Sequence, residues 1–173
     1  CHNHKLSFTL VEEGLLDSVG HAKTSQGIIA VVRMQNNLSV SSVNRVRNGV
    51  HNGAHLFLSG LTNPSNFGSI CRNAVAFNVT TILYPSASVD PYHPESVRAS
   101  GGNLHRLSFI EMELAHYLET SKSQLLILSS SEGKNINDIV FEKNVTFIVG
   151  SEMGYKQKLD TGTFIKIPME KHV

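Results

Sequence analysis

The chain has 173 residues with a formal net charge of +1, and 40% hydrophobic against 17% charged residues. That supplies a real core for one full domain and part of another, and excludes a disordered polymer, while the near-neutral balance neither demands nor excludes a nucleic-acid partner. Cys1 and Cys71 lie far apart and outside any C-x-x-C arrangement, and no apolar run is long enough to span a bilayer. This excludes a disulfide framework and predicts a reducing compartment, cytoplasm or an organelle interior such as a mitochondrion or chloroplast.

Residues 1–34 read as the end of one unit. The chain starts at Cys1 without a methionine, as a piece of a longer protein would. Val11 to Val19 has helical spacing of its apolar residues, and Gly27-Ile28-Ile29-Ala30-Val31-Val32 is short and β-branched, which predicts a strand. Residues 35–53 are polar and predict a linker; Arg45 and Arg47 within it could meet a phosphate backbone or stay solvated. From residue 54 the pattern is regular. Strands are expected at 55–60, 80–84, 107–110, 124–130, 144–149 and 163–167, helices at 67–77 and 111–121, and shorter turns near 92–99 and 135–140. Strands alternating with helices predict an α/β fold with a mostly parallel sheet and helices on both faces.

Three junctions carry candidate chemistry. In Asn63-Pro64-Ser65-Asn66-Phe67-Gly68-Ser69-Ile70-Cys71-Arg72-Asn73-Ala74 a strand ends, the backbone turns and a helix begins. Asn66 there has the ordinary role of a helix cap, and Arg72 that of a surface ion pair. Together at a strand end they make a candidate site for an anionic or hydroxyl-bearing ligand, since Arg offers a planar fork of donors. Phe147-Ile148-Val149-Gly150-Ser151-Glu152-Met153-Gly154 runs a strand into a glycine turn where the backbone can approach a ligand. Its spacing is neither a dinucleotide fingerprint nor a P-loop. Ile167-Pro168-Met169 is a strand stopped by proline. Between these, Arg98 and Arg106 flank Ala99-Ser100-Gly101-Gly102, either a compact connection or a surface for a polyanion. Cys1-His2-Asn3-His4 has metal-ligand types but no second cluster, so no metal is expected. The sequons at Asn37, Asn78 and Asn144 come without a signal peptide and read as chance.

These blocks, in order and spacing, resemble the SpoU (TrmH) family of RNA 2′-O-methyltransferases in the SPOUT superfamily. The block Asn63–Ala74 looks like the family's first motif, Val149–Gly154 its second and Ile167–Met169 the start of its third, while Ser88–Pro94 with Val97–Ser100 is similar to a stretch of members acting on ribosomal RNA. The match covers residues 54–173, and residues 1–34 resemble the end of a small N-terminal RNA-binding domain. Asn63 stands where the family usually has Asp, and the chain stops at Val173, before the Ser-Leu-Asn segment and final helix of the third motif.

The resemblance implies a C-terminal trefoil knot, incomplete in this chain without that segment, a homodimer, and methyl transfer from S-adenosylmethionine to a ribose 2′-hydroxyl, of ribosomal RNA in preference to transfer RNA. It implies Arg72, Asn66 and Glu152 as catalytic residues. Cofactor contacts fall to Ser129, Ser130, Gly150, Ser151, Gly154, Ile167, Pro168 and Met169, and RNA contacts to Arg72, Arg98 and Arg106. The alternatives are an inactive RNA-binding member of the same fold, a transfer-RNA methyltransferase, and, disfavoured by the missing phosphate loop, an α/β enzyme for a small nucleotide.

Overall fold

The computed structural model describes residues 7–20, 27–33, 53–129, 132–150, 159 and 161–169. The chain divides into two compact units, residues 1–34 and 35–173. In the first, α1 (Glu13–Val19) forms as its apolar spacing predicts and closes with Gly20 N–H donating to the Leu16 carbonyl at 2.9 Å. The strand expected at 27–32 does not form among the described residues. A strand exists only through a ladder partner, and here Ile28, Val31 and Val32 stay exposed instead. The expected linker lies outside the described residues, except Gly53, which belongs to the sheet.

The second unit is built on seven strands: β1 (Gly53–Leu58), β2 (Thr81–Tyr84), β3 (Ser108–Glu111), β4 (Gln124–Leu128), β5 (Lys134–Asn135), β6 (Asn144–Val149) and β7 (Thr163–Lys166). Their order across the sheet is β3-β2-β1-β6-β4-β7-β5, and every neighbouring pair is parallel. Six of them answer to the apolar runs in the sequence. Two-residue β5 was missed because Lys134-Asn135 carries no apolar signature; it exists through its pairing with Ile165 and Lys166.

Side-chain alternation sends successive residues to opposite faces. On one face Leu58, Ile82 and Phe109 meet Phe67, Cys71 and Ala74 of α2 (Pro64–Ala76). On the other, Phe57, Leu83, Ile110, Ile127 and Ile148 meet Tyr117 of α4 (Leu114–Thr120). The sheet is therefore covered on both sides. Tyr117 is fully buried, and its hydroxyl is satisfied at 2.7 Å by that of Thr146, the polar residue facing it from β6. Cys71 packs as a small apolar group, and burial pushes its thiol up to about 12, so it stays protonated.

Helix α2 starts three residues before the sequence pattern indicated. Asn63 is its N-cap, accepting at 2.9 and 3.2 Å from the N–H groups of Ser65 and Asn66, and Pro64 fills the first helical position, where no N–H is needed. Asn66 is therefore a residue of the first turn rather than the cap. α3 (Pro94–Ala99) repeats the device with His93 as cap.

Candidate functional site

In a parallel sheet all carboxyl ends face one edge. Here the chain steps outward from β1 through β2 to β3, then returns to the other side for β4, so the strand order reverses beside β1. Such a switch point opens a crevice beyond the carboxyl ends of the strands. Four adjacent strands, β1, β6, β4 and β7, deliver to that edge the start of α2, Gly150, Ser129 and Ile167-Pro168-Met169. The hydrogen bonds continue just past the strands, with Ser59 N–H to Val149 O at 2.8 Å and Ser129 N–H to Ile165 O at 2.9 Å. The expected cofactor contacts Ser129, Gly150, Ile167, Pro168 and Met169 thus share one rim. Ser130, Ser151, Glu152 and Gly154 lie outside the described residues.

The first motif is held in place by the loop after β2. Ser88 Oγ–H and Val89 N–H both donate to the Leu61 carbonyl at 3.1 Å, Tyr92 N–H to Asp90 Oδ1 at 2.9 Å, and Ser96 Oγ–H to the Asp90 carbonyl at 3.3 Å. At its other end Ser86 donates both its hydroxyl, at 2.7 Å, and its N–H, at 3.1 Å, to Glu113, the residue that opens α4. These bonds keep the exposed Glu113 carboxyl below its ordinary value, the hydroxyl bond having the larger effect.

Asn66 is half-buried in the first turn of α2, and Arg72 is exposed six residues further on. Helix geometry separates them by about 9 Å along the axis and about 120° around it. They do not share a face, and α2 alone does not join them. Side chains on a helix tilt toward its N-terminus, here toward the sheet edge. The Arg72 stem comes near the turn after α3, its Cδ 3.8 Å from where a Cβ on Gly101 would stand. Arg98, in the last turn of α3, and Arg106, in the 3-10 turn Leu104–Arg106, are both exposed. Sequence reasoning missed Asn63 as the cap and the Ser86–Glu113 tie. The Asn-Pro pair before a helical pattern was a signal for the first; the second joins residues 27 apart in sequence and left none.

A parallel sheet whose reversal point gathers Ser129, Gly150, Ile167–Met169 and the start of α2 defines an α/β domain of the class that binds ligands and does chemistry at its strand ends. Residues 53–173 match the model of the SpoU rRNA Methylase family, and the chain belongs to that family. It is 27% identical over 161 residues to a 23S rRNA (guanosine-2′-O-)-methyltransferase of Vibrio parahaemolyticus, covering 89% of this chain and 65% of that protein. In fold it resembles an rRNA methyltransferase from Sinorhizobium meliloti (TM-score 0.62, 20% identity, 72% of this chain and 52% of that one). It likewise resembles the SpoU methyltransferase AviRb from Streptomyces viridochromogenes in complex with AdoMet (TM-score 0.61, 21% identity, 74% and 55%). The chain thus spans less than two thirds of the length of these relatives. No helix among the described residues is long and apolar enough to cross a membrane, and no group of three or more His, Cys, Asp or Glu could hold a metal ion there.

Proposed function

We propose that this protein transfers the methyl group of S-adenosylmethionine to a ribose 2′-hydroxyl of RNA, ribosomal RNA in the first instance. The observation that carries it is the convergence of Ser129, Gly150 and Ile167–Met169 on the edge where the first motif starts α2, in a chain of the SpoU family. The rim suits the cofactor chemically. Ile167 and Met169 expose 54% and 68% of their surface there, apolar matter for an adenine or a methionine chain, and Gly150 leaves its backbone open to approach. Ser130, Ser151 and Gly154 complete the contact set. When bound, S-adenosylmethionine supplies a methyl carbon activated by its sulfonium.

This chain's residues orient the acceptor. Arg72 holds an RNA phosphate or the hydroxyl itself and stabilises charge that develops on the ribose oxygen as its proton leaves. The guanidinium acts by its field and its donors, and the 2′-hydroxyl proton passes to solvent water as the ribose oxygen gains the methyl. Asn66 and Glu152 position Arg72 and the ribose. Arg98 and Arg106 extend the cationic surface for the neighbouring phosphates. Residues 1–34 act as the end of an RNA-binding domain and residues 35–53 as its linker. The catalytic unit pairs as a homodimer and takes the trefoil-knotted form, which the Ser-Leu-Asn segment and final helix of the third motif complete.

The test is transfer of labelled methyl from S-adenosylmethionine to unmodified, transcribed 23S ribosomal RNA, with the product digested to nucleosides to place the methyl on the 2′-oxygen. Arg72→Ala lowers kcat by about 100-fold or more; activity near wild type removes Arg72 from the mechanism. Binding of that RNA with no transfer favours the inactive RNA-binding member, and transfer to transfer RNA alone reassigns the substrate.

A further inference from the structure

Helices α2 and α3 meet at Gly68. This glycine lies inside a regular helix, where it is worse than alanine by about 1 kcal/mol, so its presence needs a spatial reason. A Cβ placed on Gly68 would overlap the carbonyl oxygen of Ser96 and stand 2.8 Å from Ala99 Cβ and 3.0 Å from the Ser96 carbonyl carbon. Two of these obstacles are backbone, which cannot swing aside. On α3 the residues at Ser96, Ala99 and Ser100 are all small. Both serines are fully buried, and their hydroxyls donate to the Asp90 and Val97 carbonyls at 3.3 and 2.7 Å. The two backbones are therefore in near contact, with no long side chain between them to yield.

The consequence reaches Arg72. It follows Gly68 by four residues, so both lie on the same face of α2, one turn apart. That face meets the turn after α3, where Gly101 has a φ of +59° and its N–H donates to the Arg98 carbonyl at 3.1 Å. The same turn brings Gly101 near the Arg72 stem, whose Cδ is 3.8 Å from where a Cβ on that glycine would stand. Any outward displacement of α3 carries this neighbour with it.

We infer that Gly68 is a positioning residue for the reaction: the glycine contact between α2 and α3 sets where the Arg72 guanidinium stands. This rests on the methyl-transfer reading and deepens it, since it makes the α2–α3 pair one platform for Arg72 instead of two independent helices. An added methyl at Gly68 moves the platform, and misplacement on the ångström scale is enough to slow a reaction that depends on orientation.

The experiment is a double-mutant cycle on the full chain with Gly68→Ala, Arg72→Ala and their combination. It reads single-turnover methyl transfer to transcribed 23S ribosomal RNA, the cofactor KM and the melting midpoint. Gly68→Ala is expected to lower kcat by about tenfold to hundredfold, leave the cofactor KM within about twofold, and have no further effect once Arg72 is alanine. Phe67→Leu, a cavity in the same helix on its sheet-facing side, lowers the melting midpoint without that loss of kcat. If Gly68→Ala does not fold, Ala99→Val wedges the same contact from α3 and carries the same expectation. Losses that add in the combined variant, or a folded Gly68→Ala with wild-type kcat, overturn the inference. No transfer by the wild-type chain removes the proposed activity and this inference with it. Transfer lost in Arg72→Ala but unchanged in Gly68→Ala removes the inference alone.

Discussion

At the scale of single residues, the junction between β1 and α2 turns on Asn63. Its amide oxygen satisfies two N–H groups that the first turn of a helix leaves without intrahelical partners. An Asp at this place would accept the same two bonds, so the departure from the family pattern leaves the cap intact. Asn63→Ala is expected to destabilise the protein by about 1 kcal/mol, and Asn63→Asp to leave it near wild type, both measured by denaturant unfolding. Glu113 makes a different point. Its carboxyl is held below the ordinary value of 4.5 by Ser86, so the folded state binds a proton less readily than the unfolded chain. The stabilisation is complete above the unfolded value and is lost as pH falls through the lower folded one. Unfolding midpoints taken down through about pH 4.5 should therefore fall less steeply for Glu113→Gln than for the wild type. Asn63 was visible in the sequence as part of an Asn-Pro pair. Glu113 was not, because its partner comes from another loop.

Among the elements, α2 and α4 are tied to the sheet by different means. α2 uses an apolar stripe of Phe67, Cys71 and Ala74, which helical periodicity could and did indicate. α4 adds a polar bolt, the bond from Tyr117 to Thr146. Tyr117→Phe leaves the Thr146 hydroxyl buried without that partner, and unfolding experiments should show a loss of about 1–3 kcal/mol. The pattern reading placed six strands correctly and erred where pairing, not side-chain character, decides. The β-branched run at 27–32 found no ladder among the described residues, whereas polar Lys134-Asn135 found one. Periodicity reports which face a residue would bury; it carries no information on whether a neighbouring strand is present to accept its hydrogen bonds.

Over the whole molecule, β1, β6 and β4 lie inside the sheet and are paired on both sides, while β3 and β5 form its edges. Hydrogen exchange should therefore be slowest at amides of β1, β6 and β4 and faster by orders of magnitude in β5; equal protection in β5 would contradict this order. The same arrangement makes the candidate site. The net charge of +1 gives no sign of where cationic groups lie; Arg72, Arg98 and Arg106 are all exposed, and the packing of α2 on α3 brings the Arg72 stem near the turn at Gly101. The amino-acid sequence by itself determined the α/β class, six of the seven strands, the two main helices of the second unit and the three motif blocks, because these depend on local chemistry and on periods of two and 3.6 residues. The tertiary structure alone decided that β6 inserts between β1 and β4, that the carboxyl ends of four strands share one rim, and that Gly68 must be small. Those facts come from contacts between residues distant along the chain, whose pairing is selected by burial and backbone hydrogen bonding across the whole sheet.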